Sequence, residues 1–263
     1  MKPPQKITTT EWSRKYRGLD QKSSAKPGKY NPDLTPWVIG MHEALDDPKV
    51  RKVVCVKSAQ VGWTDGVLNN YIARRIDTDP CPMIIMFAKE GAAKAYEAEK
   101  FVPMVRATRR LQQLLPAMSK SRDKDNRWAF KGFAGGFIKL VGSNSASSVK
   151  STPAKVVAIE EPDDCAQNLD GQGDTITLLE QRVKTFEDHK IIFGGTPTVE
   201  GVSRVESAYM QSDQRKFYVP CHLCNEPHVL MWENVRWNKT IGLNHATYGD
   251  DDPSTAYYEC PNC

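Results

Sequence analysis

The apolar residues of this chain gather in short runs, and between them the spacing turns helical. Residues 53–56, 83–88, 137–141, 155–159 and 190–193 are dominated by Val, Ile, Leu, Met and Phe. Runs of this length and composition are those of strands buried on both faces of a parallel sheet. Residues 65–75 place Val67, Leu68, Tyr71 and Ile72 on one helical face, and residues 91–106 place Ala95, Ala98, Phe101, Val102 and Val105 on another. Residues 36–45 predict a helix leading into the first strand, and Asp174 predicts the cap of a helix over 175–186. Residues 128–130 and 137–141 flank a turn rich in glycine (Gly132, Gly135, Gly136) and predict a hairpin. Strands alternating with helices in this way predict an α/β fold around a mostly parallel central sheet, its first two strands joined in a right-handed β-α-β unit.

The same pattern divides the chain. Residues 1–32 are polar and predict an N-terminal arm, with a short helix over 9–17 anchored by Trp12 and Tyr16. Residues 33–215 hold the α/β domain. Beyond it the character changes, and residues 216–263 predict a small module in which Trp232, Trp237, Tyr257 and Tyr258 cover a core too small to stand alone.

Composition adds little to this picture, and what it adds is exclusion. Of 263 residues, 40% are hydrophobic and 26% charged, as in ordinary globular proteins. No apolar run approaches the roughly 20 residues of a membrane helix, so no membrane partner is expected. The first residues, Met1-Lys-Pro-Pro-Gln-Lys, lack an apolar signal core, which predicts an intracellular protein. A net charge of +4 permits nucleic-acid binding without requiring it. The positive charge is densest at Arg106, Arg109, Arg110, Lys120, Arg122, Lys124 and Arg127, followed by Lys150. That cluster fits a solvated face, DNA phosphate contact, or an arginine offered to a neighbouring subunit.

Candidate chemistry begins where the first strand ends. Strand 53–56 runs into Lys57-Ser-Ala-Gln-Val-Gly-Trp-Thr64 and then a helix. A strand, a tight turn and a helix N-terminus converge backbone N–H groups on one point, where the helix dipole favours an anion. The phosphate-loop pattern G-x-x-x-x-G-K-[ST] is only partly met. Trp63 stands where the lysine belongs, while Lys57 lies at the head of the loop and is long enough to reach the β- and γ-phosphates of a nucleotide. The N–H groups of Gln60, Val61, Gly62 and Trp63 would cradle phosphate, and Thr64 occupies the place of the Mg²⁺-binding hydroxyl. Strand 155–159 then ends in Glu160 and Glu161. In phosphate-loop enzymes an acid at this place reaches Mg²⁺ and the next one activates water, which assigns the metal to Glu160 and the base to Glu161. Strand 190–193 runs into a turn over residues 194–198, at the carboxyl edge where open α/β sheets place ligands. Thr196 is positioned there to sense the γ-phosphate.

Seven cysteines is an odd number, and four of them form two Cys-x-x-Cys pairs, Cys221/Cys224 and Cys260/Cys263. Four thiolates at this spacing suit a closed, tetrahedral, structural Zn²⁺ site. His222 and His228 are alternative ligands. Cys55, Cys81 and Cys165 read as unpaired thiols.

Taken in order, these stretches resemble the large subunits of phage terminases, in the lambda-type GpA branch. The stretch 57–64 resembles that branch's phosphate loop with a displaced lysine. Residues 144–153 followed by 156–161 resemble the approach to its acidic strand, Gly195-Thr196-Pro197 its coupling motif, and the paired knuckles its zinc-binding insert. The resemblance runs from about Trp12 to Cys263. It implies a P-loop ATPase fold of the additional-strand, RecA-like type followed by a zinc ribbon, acting as the ATPase motor that packages viral double-stranded DNA. Implied with it are ATP, Mg²⁺ and Zn²⁺, a homo-oligomeric ring when active, a terminase small subunit and a portal or procapsid as partners, and the host cytoplasm as location. Trp37 falls in the segment that stacks on adenine in the family, although a core anchor fits it equally. Arg182 is a second candidate for the arginine supplied in trans. Where the family carries an arginine, this chain has Lys150. A chain ending on its last cysteine ligand implies a piece of a longer protein, and the resemblance puts a nuclease in the missing part. Two other readings compete: a non-hydrolysing DNA-binding or scaffolding module with a degenerate loop, and a helicase-like remodelling ATPase.

Overall fold

The computed structural model describes residues 6–21, 24–115, 126–145, 152–169, 171–239 and 251–263. The chain divides into two compact units, Met1–Asp213 and Gln214–Cys263. Among the described residues, no helix is long and apolar enough to cross a membrane.

The first unit opens with helix α1 (Thr9–Tyr16), a short antiparallel pairing of β1 (Gly18–Leu19) with β2 (Gly28–Lys29), and helix α2 (Trp37–Asp46). Strand β3 (Lys52–Val56) leads through the loop into a π-helical turn, Trp63–Leu68, and helix α3 (Asn69–Thr78). Strand β4 (Pro82–Phe87) is followed by α4 (Glu90–Tyr96), a second π-helical turn, Glu97–Phe101, then α5 (Val102–Ala107) and α6 (Arg109–Leu114). Next come β5 (Asn126–Arg127), β6 (Phe130–Phe133), β7 (Gly136–Gly142), β8 (Val156–Glu160), α7 (Thr175–Glu180), β9 (Lys190–Gly195) and α8 (Arg204–Met210). Strands β3 to β9 form one seven-stranded sheet in the order β3-β9-β8-β4-β7-β6-β5. The five strands from β3 to β7 along this order are parallel, and the β5-β6-β7 meander closes the far edge antiparallel.

Alternation along β4 shows why these runs are continuous in sequence. Met83, Ile85 and Phe87 enter one core with Trp12, Leu45, Tyr71, Ile72 and Phe101, whereas Ile84 and Met86 enter a second core with Ile176, Leu179 and Val183. Both faces are covered, so neither parity of position is polar.

Five features differ from the sequence expectation, one being the helix predicted over 175–186, which ends at Glu180 and continues only as a tight turn over Gln181–Val183. The described residues of the expected arm pack onto the domain, with the predicted helix present as α1. Trp12 is fully buried and its indole N–H donates to Asp77 at 2.8 Å. Thr9 donates N–H and O–H to Asp46 at 2.6 and 2.7 Å, and Arg17 is buried against Asn70 and Asp65. Helix 65–75 begins earlier, at Trp63, because a wide turn inserts an extra residue and the Asn69 N–H bonds the Thr64 carbonyl. Helix 91–106 is likewise relaxed through the turn before Pro103, a residue without an N–H to donate. In the hairpin, Trp128 and Ala129 form a turn, and the strand starts at Phe130, with Ala134 and Gly135 making the reversal. Trp12→Ala is therefore expected to lower stability by about 3–5 kcal/mol, read as a shift in denaturant midpoint. A shift below about 0.5 kcal/mol, as for a surface site, would mark the segment as peripheral.

Candidate active site

Strands β3, β9 and β8 end side by side, and each contributes to one cluster. The β3–β9 ladder continues past the strand, since the Lys57 N–H donates to the Gly195 carbonyl at 3.0 Å. That fixes the lysine at the sheet edge. Its Nζ then reaches Glu161 Oε1 at 2.5 Å. The loop that follows exposes Ser58, Ala59 and Gln60 and turns through two left-handed positions, Gln60 (φ 58°) and Gly62 (φ 79°). Gly62 suits this conformation because it lacks a Cβ. The Gly62 carbonyl accepts the first helical bond, from Gly66 N–H at 2.7 Å. Trp37 donates its indole N–H to the Val61 carbonyl at 3.0 Å and packs against the first core. The ring thus holds the loop from the α2 side.

The two carboxylates at the end of β8 are in unlike surroundings. Glu160 is buried. Trp63 Nε1 donates to its Oε1 at 2.6 Å, and the Thr64 hydroxyl to its Oε2 at 3.3 Å. Burial pushes the Glu160 carboxyl up to about 7, against the hydrogen bond from Trp63 and the charge of Lys57. Glu161 is half-exposed and left-handed, at φ 52° and ψ 67°. A non-glycine residue holds this conformation only where its surroundings over-determine it. They do so here: its N–H donates to the Gly194 carbonyl at 2.9 Å, and its Oε2 accepts the Thr196 N–H at 2.8 Å. Gly195 makes the approach possible, since a Cβ there would lie 2.7 Å from Pro162 Cδ and 3.3 Å from Glu161 Oε2. Gly194 and Gly195 belong to β9 itself rather than to a turn after it, and the strand ends where Thr196 begins.

Asp163 was not singled out in the sequence, yet it ties the segment after β9 to β8. It accepts from Thr198 N–H at 3.0 Å, the Thr198 hydroxyl at 3.0 Å, Arg204 N–H at 2.8 Å and Val205 N–H at 3.0 Å. Arg204 reaches back to the Cys165 carbonyl at 3.1 Å and to Asp174, the α7 cap. The only sequence signal was a run of acids continuing past Glu161 into Asp163 and Asp164.

The basic cluster is less free than its sequence suggests. Arg110 forks onto Asp77, at 2.9 Å from Nε and 2.7 Å from NH2. It braces α6 against α3 while remaining exposed. Arg109 is exposed. Lys150 lies outside the described residues, as do Lys120, Arg122 and Lys124. Arg182 sits half-buried in the turn Gln181–Val183, its carbonyl accepting from Ala154 N–H at 3.1 Å. A concavity of about 590 Å³ near α1 is lined by Lys15, Lys29 and Arg109 and by none of the carboxylate cluster.

In the second unit, β10 (Val219–Pro220) pairs with β11 (Pro227–His228), and β12 (Val235–Lys239) with β13 (Asp251–Tyr258). The sulfurs of Cys221, Cys224, Cys260 and Cys263 all lie within 4.8 Å of one another. Two of the separations, Cys221–Cys263 and Cys224–Cys260, are 3.9 Å. A regular ZnS₄ tetrahedron with Zn–S near 2.3 Å has edges of about 3.8 Å, so the set fits that ion. Leu223 N–H points at Cys221 Sγ and Asn262 N–H at Cys260 Sγ, both at 3.4 Å. Backbone donors from Cys224 and Leu223 draw the Cys221 thiol down to about 6, while the neighbouring sulfurs push the Cys263 thiol up to about 12. The histidines are elsewhere occupied or outside the cluster. His228 stacks on Tyr258 at 5.6 Å, and His222 is exposed. Trp232, Trp237 and Tyr257 do not cover the module as expected; they are exposed, with Trp232 and Trp237 6.3 Å apart.

Strand β9 between the loop strand β3 and the acidic strand β8 makes this an additional-strand P-loop fold. Residues 24–263 match the family described as "Phage terminase large subunit gpA, ATPase domain", and the chain belongs to that family. It is 24% identical over 265 residues to the terminase large subunit of Enterobacteria phage P21, and 26% identical over 259 residues to that of Escherichia phage lambda. Each alignment covers 98% of this chain and 39% of the relative, so the chain spans about two fifths of the proteins it matches. Its fold is similar to the crystal structure of the HK97 bacteriophage large terminase, with a TM-score of 0.58 at 12% identity, over 79% of this chain and 43% of that one.

The Asp163 bonds generate a pH-dependent expectation. Burial raises its carboxyl, but donors from Val205, Ser203 and Thr198 outweigh burial and hold it below its ordinary value of 3.8. A depressed carboxylate adds stability above its ordinary pKa and loses it as pH falls through the folded value. Asp163→Ala should cost roughly 1 kcal/mol near neutral pH, and the difference should shrink below pH 3.8. Denaturant midpoints of both proteins at pH 7 and pH 3 test this; an equal gap at both would mean that charge plays no part.

Proposed function

We propose that this chain is the ATP-hydrolysing motor part of a viral DNA-packaging terminase. The observation that carries the reading is the convergence of Lys57, Glu160, Glu161 and Thr196 at three adjacent strand ends, with Thr64 at the start of the helical turn after the loop. Their separations are 2.5 Å for Lys57–Glu161, 3.3 Å for Thr64–Glu160 and 2.8 Å for Thr196–Glu161. The P21 and lambda relatives are terminase large subunits by name.

In this reading, N–H groups from Gln60 to Trp63 bind the phosphates, with Ser58 and Ala59 in the same loop and Trp37 holding it. Lys57 neutralises charge on the β- and γ-phosphates. Because the same ammonium pairs with Glu161, phosphate entering the loop competes for Lys57 and frees the Glu161 carboxylate. Glu161 then orients the attacking water and takes its proton. The Thr64 hydroxyl and the Glu160 carboxylate are hard oxygen donors suited to Mg²⁺, which supplies charge stabilisation for the transferred phosphoryl group when bound. In phosphoryl transfer, positioning and electrostatics supply most of the rate. Thr196, flanked by Gly195 and Pro197, senses whether Glu161 is engaged, because its N–H holds that carboxylate. Double-stranded DNA, with Arg109 and Lys150 as phosphate contacts, belongs to the same proposal. So do a ring of like subunits supplying an arginine in trans, a small subunit, a portal, the host cytoplasm, and a nuclease in the part of the relatives this chain does not span. Zn²⁺ held by Cys221, Cys224, Cys260 and Cys263 is assigned a structural role, since four thiolates leave no open position.

Steady-state hydrolysis of ATP with Mg²⁺ tests the motor reading. Lys57→Ala should lower turnover by about 10³-fold, and Glu161→Gln by about 10²–10⁴-fold with nucleotide binding retained. If Lys57→Ala keeps normal turnover, the displaced-lysine assignment is wrong. For zinc, metal analysis after gel filtration should find one Zn²⁺ per chain, and Cys224→Ser should release it. Protein purified without chelator and free of zinc would refute the assignment.

A further inference from the structure

Trp63 occupies the position where the phosphate-loop pattern carries lysine, yet its side chain is turned inward and only 4% exposed. Its indole N–H donates to Glu160 Oε1 at 2.6 Å, while the Thr64 hydroxyl donates to the other oxygen, Oε2, at 3.3 Å. The ring is pressed against β9. A Cβ on Gly194 would lie 2.0 Å from Trp63 Cε2 and 2.2 Å from Nε1. No side chain fits between ring and strand, so the position of the indole is set by the backbone of the strand that separates β3 from β8.

The terminal torsion of a glutamate is broad and roughly two-fold. Pinning one oxygen of the planar carboxylate therefore decides where the other points. With Oε1 held by Trp63, Oε2 is left facing the Thr64 hydroxyl. The donor is neutral, and that matters as well. A lysine in this place would pair with Glu160 as a cation and offset its charge, whereas an indole N–H orients the carboxylate and leaves its charge for a metal ion.

We propose that Trp63 is a positioning residue, fixing the Glu160 carboxylate so that its second oxygen, Oε2, and the Thr64 hydroxyl form one divalent-cation site, with Gly194 as the clearance that the indole requires. The assignment rests on Glu160 and Thr64 being the metal-binding pair of the proposed ATPase.

The test replaces Trp63 with β-(3-benzothienyl)alanine, which keeps the ring shape and lacks the N–H, and separately with Phe. Two readouts are needed. One is binding of Mn²⁺, as the probe ion, to the ADP-bound chain, followed by loss of the free-ion paramagnetic signal. The other is Mg²⁺-dependent turnover. Losing a hydrogen bond to a charged acceptor should weaken Mn²⁺ binding by about tenfold or more. It should raise the half-saturating Mg²⁺ in parallel, and the isosteric variant should stay folded with only a modestly lower thermal midpoint, since a buried acceptor loses its donor. Gly194→Ala, which displaces the ring without removing it, should shift Mn²⁺ binding the same way. Unchanged Mn²⁺ binding in the benzothienyl variant overturns the proposal, as does a loss confined to the thermal midpoint, which would reduce Trp63 to packing. Glu160→Gln separates this from the underlying reading: if that variant binds Mn²⁺ normally, Glu160 is no metal ligand and both fail together. If Glu160→Gln loses the ion while the Trp63 variants keep it, the positioning role alone fails.

Discussion

The Glu161 carboxylate is the point on which the site depends. One oxygen is held by the Lys57 ammonium just past the end of β3, the other by the Thr196 amide just past the end of β9, and the residue itself follows directly on β8. Three strands that are far apart in sequence are thereby fastened at one carboxylate. The left-handed backbone at Glu161 is maintained by the Gly194 carbonyl and by the clearance at Gly195. The exposed loop and the burial of Glu160 are arranged around this fastening. A change at any of the three strand ends moves a group that the other two contact.

Two adjacent glutamates acquire different chemistry from that arrangement. Glu160 is enclosed, with an indole and a hydroxyl as its neighbours, and burial raises its carboxyl toward neutrality. Glu161 stays half-exposed beside a cation. Strand alternation alone would have sent the two side chains to opposite faces of the sheet; the left-handed turn at the second residue brings both to the same edge.

Much of this was legible in the sequence because each signal was local. Apolar runs sandwiched on both faces carry no ambiguity of face, and their order alone placed the loop and the acids at one sheet edge. The paired cysteines predict a four-sulfur cluster through spacing, and their sulfurs lie within 4.8 Å of one another. What escaped reading depended on contacts across long separations. Trp12 was legible as the anchor of a short helix, but not its partner Asp77, 65 residues away. Arg110 reads as a member of a basic cluster, and its pairing with that same aspartate lies 33 residues away in the chain. Trp63 registered only as a missing lysine, because nothing nearby in the chain shows that its partner is Glu160, 97 residues on. Trp128 reads as a strand residue by propensity, but the hairpin register places it in a turn. The exposed Trp232 and Trp237 mark the reverse error, where aromatic character was taken as cover for a core.

Strand β9 is hydrogen-bonded on both sides, to β3 along residues 52–56 and to β8 along residues 156–160. A strand clamped by two ladders is stiff along its length, since sliding by one step would break both at once and reverse its side chains. Mechanical displacement at Glu161 therefore has little room to travel back through the sheet. Its open route is forward, through the tether that begins at Thr196, passes the Asp163 anchor and enters α8 at Arg204. The strand is held along its length, whereas the segment after it is held at points, by Glu161 at Thr196 and by Asp163 at Thr198 and Arg204.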